Sequence, residues 1–409
     1  MRYLIPRVLS IITKEEQEVK MSAVFVVLLL ASCTVSLTSA EDVCSTVEIL
    51  EFNGDSANQT VTIQVDFGPR LPGSNASMEL RKWFMETRPA FDWRLDSHSR
   101  EGYNLTNLEG KLVPENVQEG GPIVVLAAHY DSRDRAERDQ NPNMTDMPIP
   151  GANDGGSGVA VLWELARIIP SMNLEHEVWI LLTDAEDQGP TPSMLGAKAW
   201  AENRTSEEVA RIDAFLLVDM IGDADLKIYR TFPPSPTNED GNRLWNAVEQ
   251  LAQPLGLIDN LSDCDGNPGM DVVNFSRSDG VIDDHVPMLN VGIPAIDFID
   301  IRYGENATEW GGYWHTHEDT PDKVSAESLA HIGRLLELGL RQGSWLKSDN
   351  SSSDANASES DVLEVDSVHT SNDDASSTQN IFIAGTTFAA ILLIFTTLVF
   401  LHQGVRLKR

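Results

Sequence analysis

Four short apolar runs dictate most of what this chain can become. Ile123 to Ala128, Val178 to Thr183, Phe215 to Val218 and Ala295 to Ile299 are continuous and rich in β-prone residues. A strand with one face in water alternates polar and apolar side chains, so unbroken runs predict strands buried on both faces. Between them, Gly158 to Ile169 and Ser325 to Leu340 space apolar residues at helical intervals. Strands covered on both sides and alternating with helices imply α/β architecture: a three-layer α/β/α sandwich with a mostly parallel central sheet. The pattern fills residues 41–345 with neither an internal repeat nor a second domain.

The remaining segments read differently. Residues 1–40 form a signal segment, in which 21–40 have an apolar core and end in small residues; the preferred cleavage follows Ala40, and translation can start at Met21. The tetrad ending in Cys33 offers a lipoprotein cleavage box as an alternative. Residues 346–380, rich in Ser, Asp and Asn, predict a disordered stalk. Residues 381–401 carry no charge and are long enough for a C-terminal transmembrane helix, and the basic tail 402–409 would stay cytoplasmic. A removable sorting tail is the other reading of this end. The expected product is exported and held at the membrane through one C-terminal helix, with its main domain outside the cytoplasm. Asn-x-Ser/Thr sequons, among them Asn58, Asn104 and Asn356, suit a glycosylated surface. Cys44 and Cys264 can pair there or remain apart. A net charge of −33 argues against nucleic acid, which requires Lys and Arg clusters.

Acidic and imidazole residues sit just beyond the apolar runs. His129 follows the first, Glu186 and Asp187 the second and Asp219 the third, while Asp154 precedes a glycine-led helix and His315 lies in WHTHEDT. Ligands of open α/β sheets gather beyond the carboxyl ends of strands, so these side chains should converge on one rim. Taken singly each has a plain structural reading: Asp154 as a helix cap, His129 as a core histidine, Asp219 as a turn residue. Together, two imidazoles and several carboxylates form the donor set that zinc accepts. Adjacent residues in a loop point apart, so of Glu186 and Asp187 one can bind metal while the other works as a general base.

The ordered motifs FGPRLPGS, HYDS, NDGGSG, DAEDQG, LVDMIGD, DDHVPMLNVGIP and WHTHEDT resemble the M28 zinc metallopeptidase family. Within it the chain is most similar to the glutaminyl-peptide cyclotransferase (glutaminyl cyclase) branch. That resemblance implies a zinc held by Asp154, Asp187 and His315, with Glu186 as acid/base. It makes His129 and Asp219 the ligands of a possible second zinc, or Asp219 the hydrogen-bonding partner of Asp283. The triplet Asp283-Asp284-His285 and Trp314, a candidate wall for the substrate, favour the cyclase branch. The chain departs from the family where Asp187 replaces a more usual glutamate, and where Gln188-Gly189-Pro190 replaces a pocket tryptophan. The implied reaction converts N-terminal glutamine of peptides or proteins to pyroglutamate with ammonia release. Hydrolysis of N-terminal residues by a di-zinc aminopeptidase is the rival. A metal-free receptor on the same fold is a third reading, which the complete ligand set disfavours.

Overall fold

Seven residues in succession, Ile123 to His129, are fully buried, and they form the strand around which the sheet is laid. The computed structural model describes residues 43–117, 120–189, 193–232 and 239–347. The expected signal segment, stalk, membrane helix and basic tail lie outside them. Among the described residues no helix is long and apolar enough to cross a membrane.

The longer strands are β1 (Asp92–Arg100), β2 (Tyr103–Leu112), β3 (Ile123–His129), β4 (Glu177–Thr183), β5 (Ile212–Asp219), β6 (Ile228–Phe232), β7 (Val273–Gly280) and β8 (Ala295–Ile299). Six of them make the central sheet in the order β1-β2-β4-β3-β5-β8, while β6 and β7 pair separately. β4, β3, β5 and β8 run parallel. β1 and β2 form an antiparallel hairpin, and β2 is antiparallel to β4. The sheet is therefore mixed: four of its six strands run parallel, as expected, and the antiparallel hairpin is an addition the apolar runs do not predict. The hairpin carries no unbroken apolar run: β1 reads DWRLDSHSR and leaves every residue at least partly exposed. Its charged side chains suit an edge strand, where they discourage pairing with another chain. Glu101 and Gly102 at the tip both have positive φ, as a tight primed turn requires.

The helices are α1 (Val43–Glu48), α2 (Gly54–Asp66), α3 (Asn75–Thr87), α4 (Gly156–Ile168), α5 (Leu195–Glu202), α6 (Ser206–Arg211), α7 (Glu239–Ala252), α8 (His285–Asn290) and α9 (Ala326–Arg341). Alternate strand residues feed two separate cores. Val124, Leu126, Ala128, Ile180, Leu216 and Phe298 pack with residues of α2, α3, α4, α7 and α9. Val125, Ala127, Leu181, Phe215 and Leu217 pack with Trp200 of α5 and Met288 of α8. This is the three-layer sandwich that the unbroken runs require. Cys44 and Cys264 form a disulfide across 220 residues, which ties α1 to the loop before β7.

α4 approaches the sheet so closely that a Cβ on Gly158 would lie 2.1 Å from the Val218 carbonyl oxygen and 3.0 Å from Ala128 Cβ. Gly158→Ala should therefore lower stability by about 2–3 kcal/mol through overpacking. Denaturant unfolding checks this; an unchanged midpoint would show that α4 sits further out.

Candidate active site

His129 closes β3, Asp219 closes β5, and Glu186 and Asp187 follow β4, so parallel strands deliver their ends to one rim. Asp154 enters from the loop before α4. It does not cap that helix; Gly155 occupies the cap position without a side-chain bond, and the Asp154 carboxylate turns inward. A Cβ on Gly155 would lie 2.5 Å from His129 Nε2, so only glycine lets the imidazole sit this close.

The carboxylate of Asp154 faces two imidazoles. Its Oδ1 lies 3.2 Å from His129 Nε2, which is also 3.1 Å from Asp219 Oδ1. Its Oδ2 lies 3.6 Å from His315 Nε2, which is 3.4 Å from Asp187 Oδ2. Two groups result, His129-Asp154-Asp219 and Asp154-Asp187-His315, each buried and each with donor atoms within 4.8 Å of one another. The donor chemistry suits zinc. So does an orphan: Asp187 Oδ2 is buried with no hydrogen-bond partner. Such an atom is costly to bury unless a cation or donor meets it.

A ring of further side chains fixes these donors. Asp131 accepts from the backbone N–H of Glu186 (3.0 Å) and Asp187 (3.2 Å) and from Gln188 Nε2 (2.9 Å), pinning the loop after β4. Asp319 accepts from the N–H of Asn153 and Asp154 and from the Tyr303 hydroxyl. Arg70 is fully buried and spends its guanidinium on the carbonyls of Tyr130, Pro150 and Gly151, joining the loops that carry His129 and Asp154. Arg133 reaches Asp187 Oδ1 at 3.1 Å, and Glu137 reaches His315 Nδ1 at 2.9 Å. Ala185, Met220 and His315 all take positive φ without being glycine. Such conformations cost about 1–3 kcal/mol each and persist only where surroundings over-determine them.

A second acidic group lies beside the first. Glu186, Asp283 and Asp284 present carboxylate oxygens within 4.8 Å of one another. Burial, and then the neighbouring Asp283, pushes Glu186 well above the ordinary carboxylate range. Asp283 is likewise raised by burial and by Asp219. Burial and Asp154 push Asp187 up to about 6. Burial works against ionisation of Asp154 too, but His129 and His315 hold it below its usual value. The imidazoles respond in kind: against the effect of burial, the facing carboxylates raise His129 strongly and His315 to about 10. Glu186 is thus placed to exchange a proton rather than to stay permanently charged.

Every side chain singled out in the sequence for metal or proton chemistry lies in this cluster. Trp314 is half-buried and stacks on the His315 ring, with centroids 3.7 Å apart. His285 binds none of these groups; it is buried 3.7 Å from Asp297, and burial lowers it to about 3. His317 pairs instead with Asp139. Asp131, Arg133, Glu137 and Asp319 were not evident as site residues. Asp131 stands two residues past His129 in HYDS and Asp319 four past His315 in WHTHEDT, which are local signals, whereas Glu137 carries none. A cavity of about 500 Å³ opens beside the His315 turn, lined by Arg138, Tyr313, Thr316 and Glu318 among others. None of the facing donors lines it.

An α/β sandwich whose parallel strands gather histidine and carboxylate donors at their ends defines a metal-dependent hydrolase-like class. Residues 107–338 match the model of peptidase family M28, and the chain belongs to that family as one of its enzymes. It is 28% identical over 232 residues to aminopeptidase YwaD of Bacillus subtilis, covering 56% of this chain but 43% of that protein's length. It is 25% identical to the glutaminyl-peptide cyclotransferase of Drosophila melanogaster, covering 66% of this chain and 77% of that one. Among solved structures it is similar to Tannerella forsythia glutaminyl cyclase, with TM-score 0.59, 27% identity, and 71% and 99% of the two chains covered. A zinc-dependent exopeptidase from Parabacteroides distasonis superposes with TM-score 0.60 at 26% identity, covering 72% and 99%.

Because the carboxylates keep His315 protonated up to about pH 10, a cation that takes its Nε2 must expel a proton at neutral pH. Zinc affinity should therefore rise with pH between 7 and 9. Calorimetry in buffers of different ionisation enthalpy should register proton release on binding; binding without proton release would contradict this electrostatic picture.

Proposed function

We propose that the protein is a zinc-dependent enzyme acting on peptide N-termini, and that its reaction is cyclisation of N-terminal glutamine to pyroglutamate. The observation that carries this reading is the group Glu186-Asp283-Asp284 beside the metal-facing set, an arrangement suited to holding and moving one proton. Zinc bound by Asp154, Asp187 and His315 would supply Lewis-acid polarisation of the side-chain amide carbonyl. The α-amine nitrogen attacks that carbonyl carbon, the new C–N bond closes the ring, and the bond to the side-chain nitrogen breaks. Glu186 takes the proton from the attacking amine and delivers it to the departing nitrogen, which leaves as ammonia. Asp283 opposes permanent ionisation of Glu186 and is itself kept from ionising by burial and by Asp219, which favours a single mobile proton in this group. Trp314, stacked on His315, offers a flat wall for the glutamine stem. Since the reaction is intramolecular, orientation and charge placement account for most of the acceleration.

A second reading has its own observation. Asp154 is shared by both donor groups, so the same shell can hold two cations, as a di-zinc aminopeptidase with His129 and Asp219 as further ligands would require. Glutamine peptides and leucine anilides separate the two: ammonia without chain shortening supports cyclisation, and free amino acid rejects it. Under the leading reading Glu186→Gln should lower kcat by a factor of about 10²–10⁴ while zinc content stays intact. Wild-type turnover in that variant would remove Glu186 from the mechanism.

We also propose an exported, membrane-anchored protein. The Cys44–Cys264 disulfide supports an oxidising compartment, while the signal segment and the apolar span 381–401 support export and anchoring from sequence.

A further inference from the structure

One loop outside the metal-facing set touches two of its members at once. Arg133 is buried, with its side chain 3% exposed, and its guanidinium is divided between two acids. Nη1 donates to the Asp187 carbonyl (3.0 Å) and to Asp187 Oδ1 (3.1 Å). Nε and Nη2 donate to Glu137 Oε1 at 3.1 and 2.7 Å. The same Oε1 faces His315 Nδ1 at 2.9 Å. The backbone follows suit: Arg138 N–H donates to the His315 carbonyl at 3.2 Å, and His317 N–H donates to Asp139 at 3.0 Å.

We infer that Arg133 and Glu137 act as a single clamp that sets both unshared ligands of one zinc site, Asp187 and His315, in their binding pose. The chain of contacts runs Asp187–Arg133–Glu137–His315 and returns through the 3.4 Å approach of His315 Nε2 to Asp187 Oδ2. Its logic is geometric. With Oδ1 engaged by Arg133, only Oδ2 of Asp187 is left to face inward, and that is the atom with no hydrogen-bond partner. With Nδ1 directed to Glu137, His315 must offer Nε2. A residue held at positive φ, as His315 is, needs such restraint on both backbone and ring. Arginine suits the post because its planar fork serves two acids in one plane, whereas a lysine ammonium presents one point charge. Arg133 and Glu137 are positioning residues, acting through Asp187 and His315.

The test is zinc affinity of the full-length protein, measured by competition with a chromogenic chelator. This reading needs a metal at the site but not a particular reaction, so its outcome is separate from whether ammonia or an amino acid is released. Glu137→Gln and Arg133→Lys should each weaken zinc binding about 10- to 100-fold, the usual consequence of losing an outer partner of a metal ligand. The double variant should bind no more than about threefold more weakly than the weaker single one, because a broken clamp cannot be broken again. Melting of zinc-free Glu137→Gln should stay within a few degrees of the parent, which a general folding role would not allow. If a variant does not fold, Glu137→Asp replaces it and is judged on the same constant, with an intermediate loss expected. Unchanged zinc affinity in the single variants, or fully multiplicative losses in the double one, would overturn the clamp.

Discussion

A single buried carboxylate organises this molecule's chemistry. Asp154 lies between His129 and His315, and each of its oxygens is committed to a different imidazole. Removing a carboxylate from water is expensive unless positive charge and hydrogen bonds replace the lost hydration. Here the imidazoles provide the charge and Asp319 holds the Asp154 backbone. Burial raises the tendency of Asp187, Asp219, Glu186 and Asp283 to stay protonated, and neighbouring carboxylates, Asp154 among them, add to it. So many acids in one buried place make sense when a dication and a mobile proton share the site.

The sandwich supplies the rigidity this arrangement needs. β3, β4 and β5 are buried along their whole lengths, and their ends project His129, Glu186 with Asp187, and Asp219 toward a common rim. The loops beyond are tied to one another by buried polar links rather than by apolar packing. Asn153 accepts from the Gly222 N–H, Arg70 bridges the carbonyls of two ligand-bearing loops, and Asp131 binds a third. Left-handed backbone at Ala185, Met220 and His315 shows where the chain bends sharply at the site, and the polar ties hold those bends.

Much of this was legible in the sequence because burial on both faces leaves an unmistakable run of aliphatic residues. Ile123 to Ala128 and Val178 to Thr183 are such runs, and His129, Glu186 and Asp187 just past them converge on one buried rim. The antiparallel hairpin was not legible. β1 mixes Asp, Arg and His with isolated Trp93 and Leu95, since one edge and much of both faces meet solvent. Arg133 and Glu137, which brace the site, were equally hidden. Glu137 sits in the polar stretch RDRAERDQN, where nothing local marks it, and it matters only because His315 arrives from 178 residues away. Cys44 and Cys264 illustrate the same limit: sequence permitted a pair, and only the folded chain brings their Cα atoms to 5.5 Å.

The most direct measurement is anomalous diffraction at the zinc edge from crystals of the zinc-loaded protein. The account requires a peak within about 2.0–2.2 Å of Asp154, Asp187 Oδ2 and His315 Nε2. A zinc peak remote from these three side chains, or none at saturating zinc, would contradict it.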